Sequence, residues 1–126
     1  MELSPAPGMH LLIDFWGASN IDEIEYVGYA LSQAALACGA AVQSMQLRLS
    51  CNHAGVNGVA MLDDSHLGIY TWPEIAFVAL DVFLYGNRDP HRAVPVLYKL
   101  FKPKAMKVTE SARGKMISAS EFNSDL

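Results

Sequence analysis

Between Ala41 and Tyr85 the chain offers four strand-like segments in a row. They are 41–50 (AVQSMQLRLS), 59–62 (VAML), the body of 62–74 (LDDSHLGIYTWPE) and 75–85 (IAFVALDVFLY). A parallel crossover needs about a dozen residues or more, and no gap between these segments reaches that length. Consecutive strands joined this closely pair antiparallel. The last segment is rich in β-branched and aromatic residues and is bounded by Pro73 and Gly86, as a long strand should be.

The flanks complete the pattern. Residues 9–16 (MHLLIDFW) read as a strand carrying one acid, Asp14. After it, Asn20 or Asp22 can cap a helix whose apolar positions Ile24, Val27, Leu31, Ala34, Ala35 and Cys38 recur at helical spacing, with Gly39 to end it. The loop CNHAGVNG (51–58) separates the second and third strands. Asp89-Pro90 opens a second helix to about Phe101, in which Pro95 should kink or shorten the first turn. Residues 104–112 make a final strand, and 113–126 read as a polar tail.

The predicted order is β-α-β-β-β-β-α-β. Two helices against a run of adjacent strands imply an α+β fold: a two-layer antiparallel sheet with both helices on one face. The apolar content of the strands suggests that the other face is covered by a second copy, with the sheets of two protomers packed together. At 126 residues without an internal repeat or linker, residues 1–126 form one domain.

A formal charge of −4 gives no electrostatic footprint for nucleic acid or an anionic membrane. The basic residues between Lys99 and Lys107 lack the interleaved aromatic series that would stack bases. No apolar run reaches the roughly 20 residues of a membrane span, and the acidic, proline-bearing start argues against a signal peptide. Cys38 and Cys51 form neither a metal spacing nor a disulfide framework. A reduced, cytoplasmic protein is the expectation.

The segment 62–74 holds the chemistry. Asp64-Ser65-His66 can be a plain turn, since Asp and Ser bond their own backbone there. A hydrolase serine is disfavoured: Ser65 sits in no Gly-x-Ser-x-Gly elbow, and His66 cannot easily fold back onto its neighbour's hydroxyl. A metal site from His53, Asp63, Asp64 and His66 matches no recurrent ligand spacing. The remaining reading uses the backbone. A serine hydroxyl held against the preceding carbonyl attacks it, giving an ester, and β-elimination then cuts the chain. The new N-terminus carries a pyruvoyl group, a covalent electron sink whose ketone can condense with a substrate amine and promote loss of CO₂.

Gly8-Met9-His10-Leu11-Leu12-Ile13-Asp14-Phe15-Trp16-Gly17 resembles the N-terminal strand of bacterial S-adenosylmethionine decarboxylases. Their processing segment is Glu-Ser-His followed by Ile-His-Thr-Trp-Pro-Glu. This chain has Asp64-Ser65-His66 and then Ile69-Tyr70-Thr71-Trp72-Pro73-Glu74. Residues 79–86 (ALDVFLYG) are similar to the family's AIDLFTCG, and Lys107 to Gly114 (KVTESARG) to its closing Glu-x-x-Arg-Gly strand. The likeness covers residues 8–114.

The resemblance implies self-cleavage between Asp64 and Ser65 into a 1–64 chain and a 65–126 chain, with the pyruvoyl group derived from Ser65. It implies a cytoplasmic homodimer of cleaved protomers serving polyamine synthesis, and a small-molecule substrate in contact with Glu74. The departures fall at functional positions. Asp64 replaces glutamate. Tyr70 stands where the family has a histidine that assists processing, and Asn57 where it has a processing serine. Tyr85 replaces the cysteine that returns a proton to the product carbanion, a role a phenol can fill. Cys51 replaces an aromatic residue that stacks adenine, unless Phe15, Trp16 or Tyr70 substitutes. A pocket of that kind, with Asp63, Asp81 and Glu74 as partners for a positive charge, would suit ornithine or arginine as well as S-adenosylmethionine. The alternative is an unprocessed relative that binds a partner or ligand without catalysis.

Overall fold

The computed structural model describes residues 7–114. The chain runs β1 (Gly8–Trp16), α1 (Ile24–Ala37), β2 (Ser44–Leu49), β3 (Val56–Leu62), β4 (Ser65–Trp72), β5 (Phe77–Tyr85), α2 (Ala93–Phe101) and β6 (Ala105–Arg113). Short 3₁₀ turns at Pro73–Ile75 and Pro90–Arg92 precede β5 and α2. The six strands form one sheet in the order β2-β3-β4-β5-β1-β6, and every neighbouring pair is antiparallel.

Alternation along the strands sends Leu11, Ile13 and Phe15 of β1, Leu67 and Ile69 of β4, and Val78, Leu80, Val82 and Leu84 of β5 into one core. Val27, Ala30, Leu31 and Ala34 of α1 and Leu97 and Phe101 of α2 close it from the helix side. Each large side chain buried there contributes on the order of 2 kcal/mol. Tyr26 of α1 ties the helices together by donating to the Leu100 carbonyl at 2.6 Å. Among the described residues no helix is long and apolar enough to cross a membrane. The expected α+β architecture is the observed one.

Several local expectations change. The cap of α1 is Glu23, which makes no side-chain cap bond, rather than Asn20 or Asp22. Asn20 instead turns the chain with φ 61°. Gly39 does end the helix, at φ 77°. β3 begins at Val56, so Asn57 and Gly58 lie in a strand rather than in the expected 51–58 loop. Gly58 masks the strand in the sequence, yet β2 needs it: a Cβ there would lie 2.2 Å from the Gln46 carbonyl oxygen. The expected 75–85 strand starts at Phe77, because Pro73–Ile75 make a 3₁₀ turn closed by Ala76 at φ 52°. Pro95 sits at the third residue of α2, where no intrahelical N–H is required, and the turn before it is 3₁₀. Arg113, expected in the tail, is the last residue of β6. The rest of that tail, 115–126, lies outside the described residues.

Candidate active site

Asp63 and Asp64 are the two residues between β3 and β4, whose ladder closes on the pair Leu62 and Ser65. Two-residue hairpins favour turns with a positive φ at the first loop residue, which suits the strand twist. Here the positive φ, 53°, falls on Asp64 and Asp63 has none. A non-glycine residue held left-handed stores on the order of 1 kcal/mol of strain. That strain sits on the residue whose carbonyl precedes the serine.

Ser65 is 4% exposed and points to the helix side of β4. Its hydroxyl oxygen accepts the backbone N–H of Tyr85 at 2.9 Å, which fixes the side chain and leaves its proton free to be donated. The same N–H is a ready donor for an oxygen at this position, so the surroundings fit a carbonyl group derived from Ser65. Beside it lies a groove of 680 Å³ lined in part by Met61, Asp63, Asp64, His66, Phe83 and Arg113.

His66 faces the other side of the sheet. Its Nε2 lies 2.8 Å from Asp81 Oδ2, and His10 Nε2 lies 2.8 Å from the same oxygen. Arg113 is 3.1 Å from His10 Nδ1. Asp81 is thus paired with two histidines, not with the backbone or arginine group that a buried acid commonly finds. Sequence reasoning passed over His10 and Arg113, although each of the four quoted motif blocks contributes one member of this cluster.

The remaining candidates stand elsewhere on the sheet. Asn57 and Tyr70 are directly paired across β3 and β4 and lie on the face away from the helices. Tyr70 is 54% exposed and stacks on Trp72 with ring centroids 6.3 Å apart. Tyr70 is five residue steps along the strand from Ser65, about 16 Å at the usual rise. Glu74, beyond the far end of β4, is about 23 Å or more from Ser65 along the strand by the same rise. Its carboxylate lies 3.8 Å from His53 Nδ1, and the His53 ring stacks on Trp72 at 6.0 Å and 18°. Cys51 is exposed in the loop after β2, with Arg48 4.0 Å from its sulfur.

One chain therefore brings together Asp63, Asp64, Ser65 and the Tyr85 amide, with the His66 and Tyr85 side chains at the same end of the sheet but on its opposite face, and leaves Cys51, Asn57, Tyr70 and Glu74 apart from them. His53 lies at the Glu74 end, so it shares no ligand set with Asp63, Asp64 and His66. Phe15, a possible replacement for the adenine-stacking ring, is wholly buried in the core and cannot serve. Trp16 and Tyr70 are exposed on the outer face instead of being packed inside. Thr71 of the Thr-Trp-Pro-Glu motif is structural: it accepts Val56 N–H and donates to the Ile21 carbonyl, both at 2.7 Å.

The sequence and the fold are similar to those of known proteins. The family model described as S-adenosylmethionine decarboxylase matches residues 9–114. The S-adenosylmethionine decarboxylase proenzyme of Thermomicrobium roseum is 38% identical over 111 residues, 87% of this chain and 96% of that protein. The proenzyme of the same name from Methanococcus maripaludis is 36% identical over 110 residues, 85% and 89% of the two chains. The crystal structure of the adenosylmethionine decarboxylase from Aquifex aeolicus superposes with a TM-score of 0.79 at 27% identity, covering 91% of this chain and 97% of the other. With the match running from β1 to the end of β6 and the Ser65 turn inside it, the chain belongs to the S-adenosylmethionine decarboxylase family.

Proposed function

We propose that this chain is a self-processing, pyruvoyl-dependent decarboxylase that cuts itself between Asp64 and Ser65 and acts on S-adenosylmethionine. The observation that carries the reading is Ser65 itself: a buried serine, oriented by the Tyr85 amide, directly after a left-handed Asp64. When formed, the pyruvoyl group supplies the electron sink for decarboxylation. The chain's own residues do the rest. Asp64 presents the carbonyl to be attacked, the Tyr85 N–H orients the Ser65 oxygen, and the Tyr85 phenol is the proposed proton donor to the product.

The separation of Glu74 from Ser65 supports a site built from two protomers. The outer sheet face exposes the large apolar or aromatic side chains of Leu12, Trp16, Met61, Tyr70 and Tyr85. A homodimer packed sheet to sheet would cover it. With a two-fold axis running across the strands, the partner's Trp72 end lies over the Ser65 end. Asn57, Tyr70, Cys51 and Glu74 of the second copy would then approach the Ser65 end of β4 from the outer face, where the His66 and Tyr85 side chains stand. The rings of Trp72, Tyr70, His53, Phe77 and Trp16 near Glu74 suit a flat adenine group.

A basic amino acid, ornithine or arginine, is the second substrate reading. It is favoured by Cys51, which offers no ring, and by the exposed carboxylates of Asp63 and Asp64 in the Ser65 groove. Asp81 is not available for such a charge, being engaged by His10 and His66.

Denaturing mass spectrometry of the purified protein tests processing. We expect two fragments, residues 1–64 and 65–126, the second blocked to amine-reactive reagents, with Ser65→Ala as the uncleavable control. A single intact chain would sink the processing reading and favour a non-catalytic binding role. Release of CO₂ from labelled S-adenosylmethionine, ornithine and arginine then assigns the substrate.

A further inference from the structure

We infer that Asp81, held in place by His10 and Arg113, is a positioning residue for the Ser65–His66 peptide, the bond that stays with residue 65 after the cut. The inference rests on the processing reading above.

A guanidinium has donors only, so the 3.1 Å contact of Arg113 with His10 Nδ1 requires a lone pair on that nitrogen. Neutral His10 then carries its proton on Nε2, where it is donated to Asp81 Oδ2. The same oxygen accepts from His66 Nε2 at 2.8 Å. Strands β6, β1, β5 and β4 each contribute one member of this series. The Phe83 ring sits against both imidazoles, with centroids 5.7 Å from His10 and 6.1 Å from His66.

Gly68 makes the arrangement possible. It pairs directly with Asp81, and a Cβ there would lie 2.3 Å from Asp81 Oδ1. The carboxylate therefore lies over bare backbone. The three ligating atoms of His10, His66 and Asp81 lie within 4.8 Å of one another, a spacing a metal ion could bridge. An ion on His10 Nε2 would force the proton onto Nδ1, facing the Arg113 N–H, so the Arg113 contact favours hydrogen bonding over ligation.

Ser65 and His66 point to opposite faces of the sheet, and each is tied: Ser65 by the Tyr85 amide, His66 by Asp81. The peptide between them has little freedom to rotate. Displacing reacting groups by about 1 Å can cost on the order of a hundredfold in rate, so a tether acting through His66 reaches the chemistry without touching it.

Imidazole ¹⁵N NMR on the uncleavable Ser65→Ala chain tests the inference apart from any activity. His10 should be neutral with its proton on Nε2. In that background Asp81→Ala removes the acceptor that both histidines share, so His10 should keep its proton on Nε2 through its Arg113 contact while His66 loses its single Nε2–H form and shows a mixture of the two tautomers. A His10 proton on Nδ1, or a His66 unchanged by Asp81→Ala, overturns the inference. With Ser65 restored, Asp81→Ala and Gly68→Ala should slow cleavage in the folded protein by about tenfold or more. His10→Gln, which can accept from Arg113 and donate to Asp81, should stay within about threefold of the parent. A His10→Gln loss as deep as that of Asp81→Ala also overturns it. A parent chain that never cleaves counts against the proposed function alone, and the NMR result still decides this inference.

Discussion

The backbone amide of Tyr85 donates to the Ser65 hydroxyl at 2.9 Å, while the Tyr85 side chain stands on the opposite face of the sheet, 55% exposed. One residue thus offers two groups that mutation can separate. Tyr85→Phe keeps the amide and removes the phenol. We expect cleavage at the parent rate and a turnover lower by about a hundredfold, the scale of a lost general acid. Unchanged CO₂ release would remove the phenol from the mechanism.

Asp64→Gly relieves the left-handed strain before the serine. In the Ser65→Ala background the relieved strain of about 1 kcal/mol is largely offset by the glycine's greater unfolded-state entropy, so the thermal midpoint should hardly move. With Ser65 present, cleavage should slow, because the strain is no longer stored in the uncut chain. Equal or faster cleavage would show that strain does not drive the step.

Mixing two inactive variants tests the shared site. Ser65→Ala supplies Glu74 without a cleavable serine, and Glu74→Gln supplies the serine without the carboxylate. Mixed and refolded together, they should regain roughly a quarter of parental turnover, since half of randomly formed dimers carry one complete site. No recovery would place Ser65 and Glu74 in the same protomer's site, or in none.

Thr71→Val removes a hydroxyl that satisfies both the Val56 N–H and the Ile21 carbonyl. Two buried backbone groups lose their partner, so unfolding in urea should show a loss of about 1–3 kcal/mol. A midpoint unchanged from the parent would mean that water reaches both groups.

Burial pushes the Cys38 thiol above its ordinary pKa of 9.0, with the nearby Asp89 charge adding to the effect. A raised folded pKa stabilises the native state fully below the ordinary value, and that stabilisation is lost as pH climbs from there through the folded value. The parent should therefore lose stability in alkaline solution more steeply than Cys38→Ala. At neutral pH a thiol reagent should label exposed Cys51 quickly and Cys38 only on unfolding.

The strand succession was legible because short connections leave consecutive strands no option but antiparallel pairing, and Gly39 and the Asp64-Ser65 turn followed from residue chemistry. Asn57 was misplaced because Gly58 reads as a loop signal when its cause is the close approach of β2. The cap of α1 was misread because the preceding loop is held by other elements: Ala18 N–H donates to the Ala76 carbonyl and Ser19 N–H to that of Phe101. Glu74 is close to Ser65 in sequence and distant in space because the residues between them are extended. Arg113 and His10 are 103 positions apart yet touch, a juxtaposition that only the strand order creates.

Strand order also bears on what a cut at Asp64–Ser65 would leave. Residues 1–64 own β1, β2 and β3, and residues 65–126 own β4, β5 and β6. Yet β1 lies between β5 and β6, in a nine-residue register with each. The fragments would be threaded through one another, each holding a strand the other needs. Severing the hairpin would free two chain ends without freeing either piece, since separation requires drawing an interior strand out of the sheet along its full length. A fold threaded in this way would keep its shape with its backbone cut at the centre of its sequence.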